Sequence, residues 1–223
     1  MRYARNMKAL TPEENQKLKD SRVCIAGCGA LGEYVFEMLG RIGVANLTII
    51  DFDTFNTSNL NRQIYATVEN LGCSKVEEAK KRMAQVNPDI KVNAIQSRIS
   101  SDNALSLLRG HQVVVDALDN PASKIILQEK AAELQIPLVH GAISGWLGQV
   151  ATILPGDTAL KAIYPPGIEV NETAGNPSFT PALVAAIQVS QVIKLLIGRG
   201  ELIRPQLLYI DLLGQHIAGI KLP

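Results

Sequence analysis

"RVCIAGCGALGEYVFEMLGRIGVANLTIID", residues 22–51, carries the pattern on which the fold class turns. Its first six residues are a short apolar run closed by glycine, the form of a strand buried in a parallel sheet. From Ala30 to Ile42, the positions Leu31, Val35, Met38, Leu39 and Ile42 keep the spacing of one helix face. Asn46–Asp51 is apolar again and ends on a carboxylate. Glycines at 27, 29 and 32 let the backbone turn tightly and approach a phosphate, and the helix N-terminus behind them offers free N–H groups and positive potential. Asp51 stands where a carboxylate meets ribose hydroxyls in this arrangement. The order strand, glycine turn, helix, strand, acid points to a bound nucleotide; glycines that serve only close helix–sheet packing are the alternative.

Outward from this unit the alternation continues. Residues 74–87 read as a helix stopped by Asn87-Pro88, 90–95 as a strand, 103–110 as a helix and 112–118 as a fourth strand. A helix over 121–135 and a strand over 136–143 follow. Short connections between alternating elements predict a Rossmann-like, doubly wound, mainly parallel sheet. Residues 148–155 read as a further strand, 155–178 as an aperiodic Pro-, Gly-, Asn- and Thr-rich crossover loop, and 180–197 as a helix with Leu183, Ala186, Val189, Ile193 and Leu196 on one face. The last stretch reads as an antiparallel hairpin turning at Leu213-Gly214, which extends the sheet. At the other end, Thr11-Pro12-Glu13-Glu14 is a helix start, with a capping hydroxyl, proline at the first position and acids at the positive end. The expectation is one nucleotide-binding domain over residues 1–223, with a helical arm at 1–20.

Composition narrows the partners. With 22 basic and 21 acidic residues the formal charge is +1, which gives no support for nucleic acid or an anionic membrane surface as partner. Three cysteines, Cys24, Cys28 and Cys73, fit a reducing compartment, and without a CxxC pair no structural zinc is expected. The first residues contain no apolar h-region, and the most apolar run, 179–198, is broken by Gln188, Ser190, Gln191 and Lys194, so it reads as a core helix. A cytoplasmic, soluble protein is the expectation.

The stretch "DFDTFNTSNLNRQ" (51–63) shifts the ligand away from a redox cofactor. Such a cofactor needs little beyond its ribose acid, yet Asn59, Asn61, Arg62 and Gln63 follow closely. Arg62 can fork onto phosphate oxygens, and the amides can hold ribose or phosphate oxygens without adding charge. Lys75, at a helix start, is unfavourable for the helix dipole unless an anion lies beside it. "DALDN" (116–120) puts Asp116, Asp119 and Asn120 at the carboxyl edge of the sheet, where an aspartate can hold Mg2+ beside a polyphosphate. The plainer readings are solvated surface for Arg62 and Lys75, and a turn with a helix cap for Asp119-Asn120-Pro121. His111, His140 and His216 show no ligand spacing and read as structural.

Together "GCGALG", "DFDTFNTSNLNRQ", "GCSK" and "DALDN" resemble the ThiF/MoeB/HesA proteins, relatives of the ubiquitin-activating enzymes, in order and spacing. "RYARN" (2–6), "GQVATILP" and the late helix ending in "IKLLIGRG" are similar to other parts of that family. The resemblance implies an adenylyltransferase that binds MgATP and activates the C-terminal Gly-Gly carboxylate of a small ubiquitin-like sulfur-carrier protein, for thiamine or molybdenum/tungsten cofactor synthesis. It further implies that Gly27, Gly29, Ala30, Gly32, Asp53, Asn61, Leu118 and Asn120 line the ATP, that Asp51 holds its ribose, and that Asn59 and Gln63 fix loop and nucleotide. Arg62 and Lys75 would neutralise phosphate charge and Asp119 would position Mg2+. Arg5 would reach the site of a second copy, which implies a homodimer. Alternatives are a catalytically inactive binding subunit, or a relative that adenylates a non-protein carboxylate or a tRNA nucleoside. The chain departs from the family in three ways: it has no CxxC zinc pairs, no cysteine in the crossover stretch, and Lys124 where an arginine is usual, which loses bidentate geometry.

Overall fold

The computed structural model describes residues 2–165, 167 and 174–222. In chain order it contains α1 (Pro12–Asp20), β1 (Arg22–Ala26), α2 (Ala30–Ile42), β2 (Asn46–Asp51), α3 (Lys75–Val86), β3 (Lys91–Gln96), α4 (Ala104–Leu108) and β4 (Val113–Asp116). Then come α5 (Pro121–Glu133), β5 (Leu138–Ser144), β6 (Leu147–Ile153), α6 (Ala159–Ile163), α7 (Phe179–Ile197), β7 (Gln206–Asp211) and β8 (His216–Lys221).

The eight strands form one sheet in the order β3-β2-β1-β4-β5-β6-β7-β8. The first five run parallel, and β6, β7 and β8 continue the sheet antiparallel. This is the α/β architecture that the sequence predicts. The switch to antiparallel comes at a two-residue turn, Gly145-Trp146, between paired Ser144 and Leu147; Gly145 there has φ +58°.

Strand residues alternate between two cores. Val23, Ile25, Leu47, Ile49, Val113 and Val115 pack with α1, α2, α3 and α7, whereas Cys24, Ala26, Ile50 and Val114 pack with α4, α5 and α6. Both faces are therefore covered, which explains why β1 and β4 read as unbroken apolar runs.

Three expectations need correction. Residues 2–10 form successive turns and not a helix; only Pro12–Asp20 of the arm is helical. Lys8 has φ +82°, and the arm is held by side chains on helix ends: Asn6 Nδ2 donates to Ile42 O and Arg2 to Val86 O, two carbonyls that α2 and α3 leave open. The crossover stretch is not wholly aperiodic, since α6 forms at 159–163; the expected loop also includes 166 and 168–173, which lie outside the described residues. Finally, α7 buries Val184, Ala185, Gln188, Val189, Val192 and Ile193, while Ala186 faces out. Gln188 belongs to the buried face because its amide donates to Asp116 O (3.0 Å) and Val139 O (3.1 Å).

Candidate active site

The carboxyl ends of β1, β2, β4 and β5 open into one cleft of about 1140 Å³, which runs from the glycine loop to β6. The loop is built by close approach. Gly27 has φ +101°, and a Cβ there would lie 2.5 Å from Ala117 O; a Cβ on Gly32 would collide with the Gly27 carbonyl. Gly32 thus serves helix–strand packing and does not line the cleft, while Gly27, Gly29 and Ala30 do. Asp51 fixes the loop from below: its Oδ2 accepts from Cys28 N (2.6 Å) and its Oδ1 from Asp53 N (2.9 Å). Two backbone donors hold this carboxylate in one orientation at the cleft wall.

The polar loop after β2 is organised by its own amides. Asn56 and Asn59 cap each other across a 3-10 turn at Thr57–Asn59, with Asn56 N donating to Asn59 Oδ1 (3.0 Å). Arg62 Nη1 donates to Ser58 O (2.6 Å) and Asn61 Oδ1 (2.9 Å), which sets the guanidinium at the cleft. Gln63 is buried beside Gly29, and its Oε1 has no partner among the described residues. Asn61 does not line the cleft; its Nδ2 donates to Asn176 O (3.2 Å) and ties this loop to the end of the crossover. The anion that Lys75 calls for is, in this structure, Asp53: Nζ lies 3.1 Å from its Oδ2, and the Lys75 N–H donates to Asp53 O.

Opposite stands the loop after β4. Leu118, Asp119 and Asn120 line the cleft, with Asp119 exposed. Asn120 Oδ1 accepts from Ser123 N (2.8 Å), so the cap reading holds for its carbonyl; its Nδ2 donates to Asp119 Oδ1 (3.3 Å). Asp119 Oδ2 carries no hydrogen bond among the described residues. Among the described residues no group of three His, Cys, Asp or Glu is placed to hold a cation, and Asp119 is the carboxylate that this loop offers to one. That donor set suits Mg2+, which keeps waters and takes further oxygens from a bound phosphate.

Asp116 is no cleft ligand. It is fully buried, with Lys124 Nζ at 3.2 Å from both carboxylate oxygens and His140 Nδ1 at 2.7 Å from Oδ2. Lysine therefore meets both oxygens after all, and it also donates to Gly141 O (3.0 Å). Burial works against the Asp116 charge, but Lys124 and the His140 hydrogen bond hold its pKa below the usual value; burial holds His140 low and neutral.

Several cleft features escape sequence reasoning. Arg98 stacks over the Phe52 ring at 3.7 Å beside Ser97 and Ile99, and Gln149, Tyr164 and Tyr209 line the far end. Their motifs are single residues on separate elements, so no spacing reveals them. Glu33, at the start of α2, is fully buried, and burial pushes its carboxyl up to about 8 although the Tyr65 N–H and Lys75 pull it down. Cys28 is buried within the loop and Cys73 is exposed outside the cleft.

Arg5 is exposed and does not line this cleft. Its arm docks on the last turn of α2, whose first turn lines the cleft, and thirteen helical residues span about 20 Å.

Comparison with known proteins gives a consistent result. A sequence profile of the ThiF family matches residues 3–223. The chain is 33% identical over 217 residues to the SAMP-activating enzyme E1 of Haloferax volcanii, covering 94% of this chain and 80% of that protein. It is 34% identical over 225 residues to the sulfur carrier protein adenylyltransferase of Thermus thermophilus, covering 95% and 83%. Among solved structures, E. coli MccB with ATP superposes with a TM-score of 0.86 at 22% identity, covering 99% of this chain and 71% of MccB.

Proposed function

The chain belongs to the ThiF family, and from that premise we propose that it is an ATP-dependent adenylyltransferase acting on the C-terminal Gly-Gly carboxylate of a small ubiquitin-like sulfur-carrier protein. The observation that carries this reading is the meeting of Asp51, Arg62, Lys75 and Asp119 around one cleft, with the glycine loop as its floor. A pinned carboxylate, two cations and a free carboxylate match a ribose, a polyphosphate and its metal ion. The names of the relatives support the same chemistry.

In the reaction a carboxylate oxygen attacks the α-phosphorus, the bond from that phosphorus to the oxygen bridging to the β-phosphate breaks, and pyrophosphate leaves. The nucleophile is already an anion, so no general base is required. What the protein must supply is orientation and charge neutralisation around a crowded phosphorus. Asp51 accepts the ribose hydroxyls. Arg62 donates to phosphate oxygens with the N–H groups that the loop leaves free. Lys75 turns from Asp53 to phosphate, an exchange helped by the exposure of Asp53. Bound Mg2+ would sit on Asp119 and offset charge on the leaving pyrophosphate.

Arg5 acts on a second copy in this reading, because its own cleft lies at the other end of α2; the working unit is then a homodimer. Carrier-dependent ATP–pyrophosphate exchange tests the proposal. Exchange that rises with added Gly-Gly carrier supports it, and absence of exchange with every carrier encoded beside this protein would sink it.

A further inference from the structure

From β4, beside the glycine loop, to β6 runs a hydrogen-bond chain whose direction can be assigned step by step. Asp116 is buried, ionised and held by Lys124, so it can only accept. His140, fully buried and neutral, therefore carries its proton on Nδ1, 2.7 Å from Asp116 Oδ2, and its Nε2 is a lone pair. Gln149 Nε2 lies 3.2 Å from that lone pair and 2.7 Å from the Tyr164 hydroxyl oxygen. Its two N–H groups are thus both used, one on each, and the carboxamide cannot flip without setting its oxygen against the histidine lone pair.

Two groups remain. The Tyr164 hydroxyl accepts from Gln149, and its own proton has only His140 Nε2 at 3.4 Å, an atom already engaged. Gln149 Oε1 has no hydrogen bond among the described residues. Both residues line the cleft. Burial pushes the Tyr164 phenol above its ordinary pKa, so it stays a donor. A donor and an acceptor therefore stand side by side at the cleft wall, their polarity fixed by three buried residues behind them.

An extended peptide residue presents its own N–H and C=O to the same side, as in the hydrogen-bonded pairs of an antiparallel sheet. We propose that Gln149 Oε1 and the Tyr164 hydroxyl bind the N–H and C=O of one extended residue in the acyl substrate, so that the cleft selects a peptide C-terminus over a small non-peptide carboxylate. This rests on the adenylation reading of the same cleft. His140 is a positioning residue in it, acting through Gln149. A carboxylate without a neighbouring amide leaves both groups unpaired, which is how a polar site rejects a substrate lacking the matching group.

The test is exchange kinetics with the carrier that drives wild-type exchange. Tyr164→Phe should raise KM for the carrier about five- to tenfold, the loss of one hydrogen bond, with KM for ATP and the melting temperature unchanged. A second arm needs no variant: carriers semisynthesised with sarcosine at the last or the penultimate position lack one N–H each, and one of the two should show a similar rise on the wild-type protein. An unchanged carrier KM in Tyr164→Phe, or equal kinetics with both sarcosine carriers and the native one, overturns the inference while leaving adenylation intact. A rise in KM for ATP by the same factor as for the carrier also overturns it, since a general disturbance of the cleft would do that. Failure of the wild type to exchange with any carrier removes the adenylation reading, and this inference with it.

Discussion

Two lysine–aspartate pairs stand on opposite sides of the glycine loop, one beyond β2 and one at β4. Lys75 and Asp53 meet at 3.1 Å with the aspartate side chain 45% exposed; Lys124 and Asp116 meet at 3.2 Å with side-chain exposures of 3% and 0%. The first pair can open, because Asp53 can be hydrated when a phosphate takes its place. The second cannot, because an opened Asp116 would be an unpaired charge in a dry interior. One side is arranged for exchange and the other for rigidity, and the same two residue types serve both through burial alone.

The largest expected effect tests that contrast through stability. Lys124→Ala should cost about 3 to 5 kcal/mol, the usual consequence of leaving one member of a buried pair alone. Lys75→Ala should cost about 1 kcal/mol or less, since Asp53 returns to water. Chemical denaturation of both variants measures the difference. Equal losses would show that the two pairs are energetically alike and the contrast mistaken.

Activity should invert the ranking. Lys75→Ala and Asp119→Ala should each lower the carrier-dependent exchange rate by about 10² to 10³, the scale of one lost charge-stabilising group. Their folds should survive, as circular dichroism would confirm. Full exchange by either variant would remove that residue from the reaction.

Why one side is legible in the sequence and the other is not follows from how each is built. Gly27 to Lys75 is a single run in which a glycine turn, a strand-end acid and an amide-rich loop keep fixed spacings, and most of its loop hydrogen bonds close within the run, such as Cys28 to Asp51 and Lys75 to Asp53. Asp116, Lys124, His140, Gln149 and Tyr164 come from four elements and the end of α6, and their meeting depends on β5 pairing with both β4 and β6. His140 reads as structural in the sequence, and buried it is, but its part in orienting Gln149 needs the sheet. The face of α7 is misread at Ala186, which faces out, and at Gln188, which is buried, for a related reason. It packs between α2 and the sheet, so apolar residues surround it, and its burial is phased by Gln188, a residue that periodicity treats as outward. Asn61, Gly32 and Arg5 belong to the motifs yet do not line this cleft, since a motif records spacing and not direction.

A pH experiment sharpens the picture on the exchange side. Glu33 has a folded pKa raised to about 8 from 4.5, so the folded state holds its proton more tightly than the unfolded chain does. Its contribution is full below the unfolded value and is lost as pH rises toward 8, amounting to roughly 3 kcal/mol by pH 7. Asp116 has the opposite sign: its lowered pKa adds stability above 3.8 that disappears in stronger acid. Glu33→Gln should therefore flatten the fall in melting temperature between pH 5 and 8 and leave the acid limb in place. An unchanged slope above pH 5 would show that Glu33 titrates normally.

The smallest effect separates the two sides by screening. Raising salt from about 0.05 to 0.5 M shortens the Debye length from well over 10 Å to a few ångströms, which weakens interactions of exposed charges and barely touches buried ones. Water and ions reach the half-buried Arg62 at the cleft, so its attraction for the phosphates is screened, and ATP binding followed by calorimetry should weaken about threefold. The stability gap between wild type and Lys124→Ala should be the same at both salt concentrations, because water and ions have no access to that pair. A gap that shrinks with salt would mean that Asp116 is reached by solvent, and the wall that orients Gln149 and Tyr164 would then be too soft to fix their polarity.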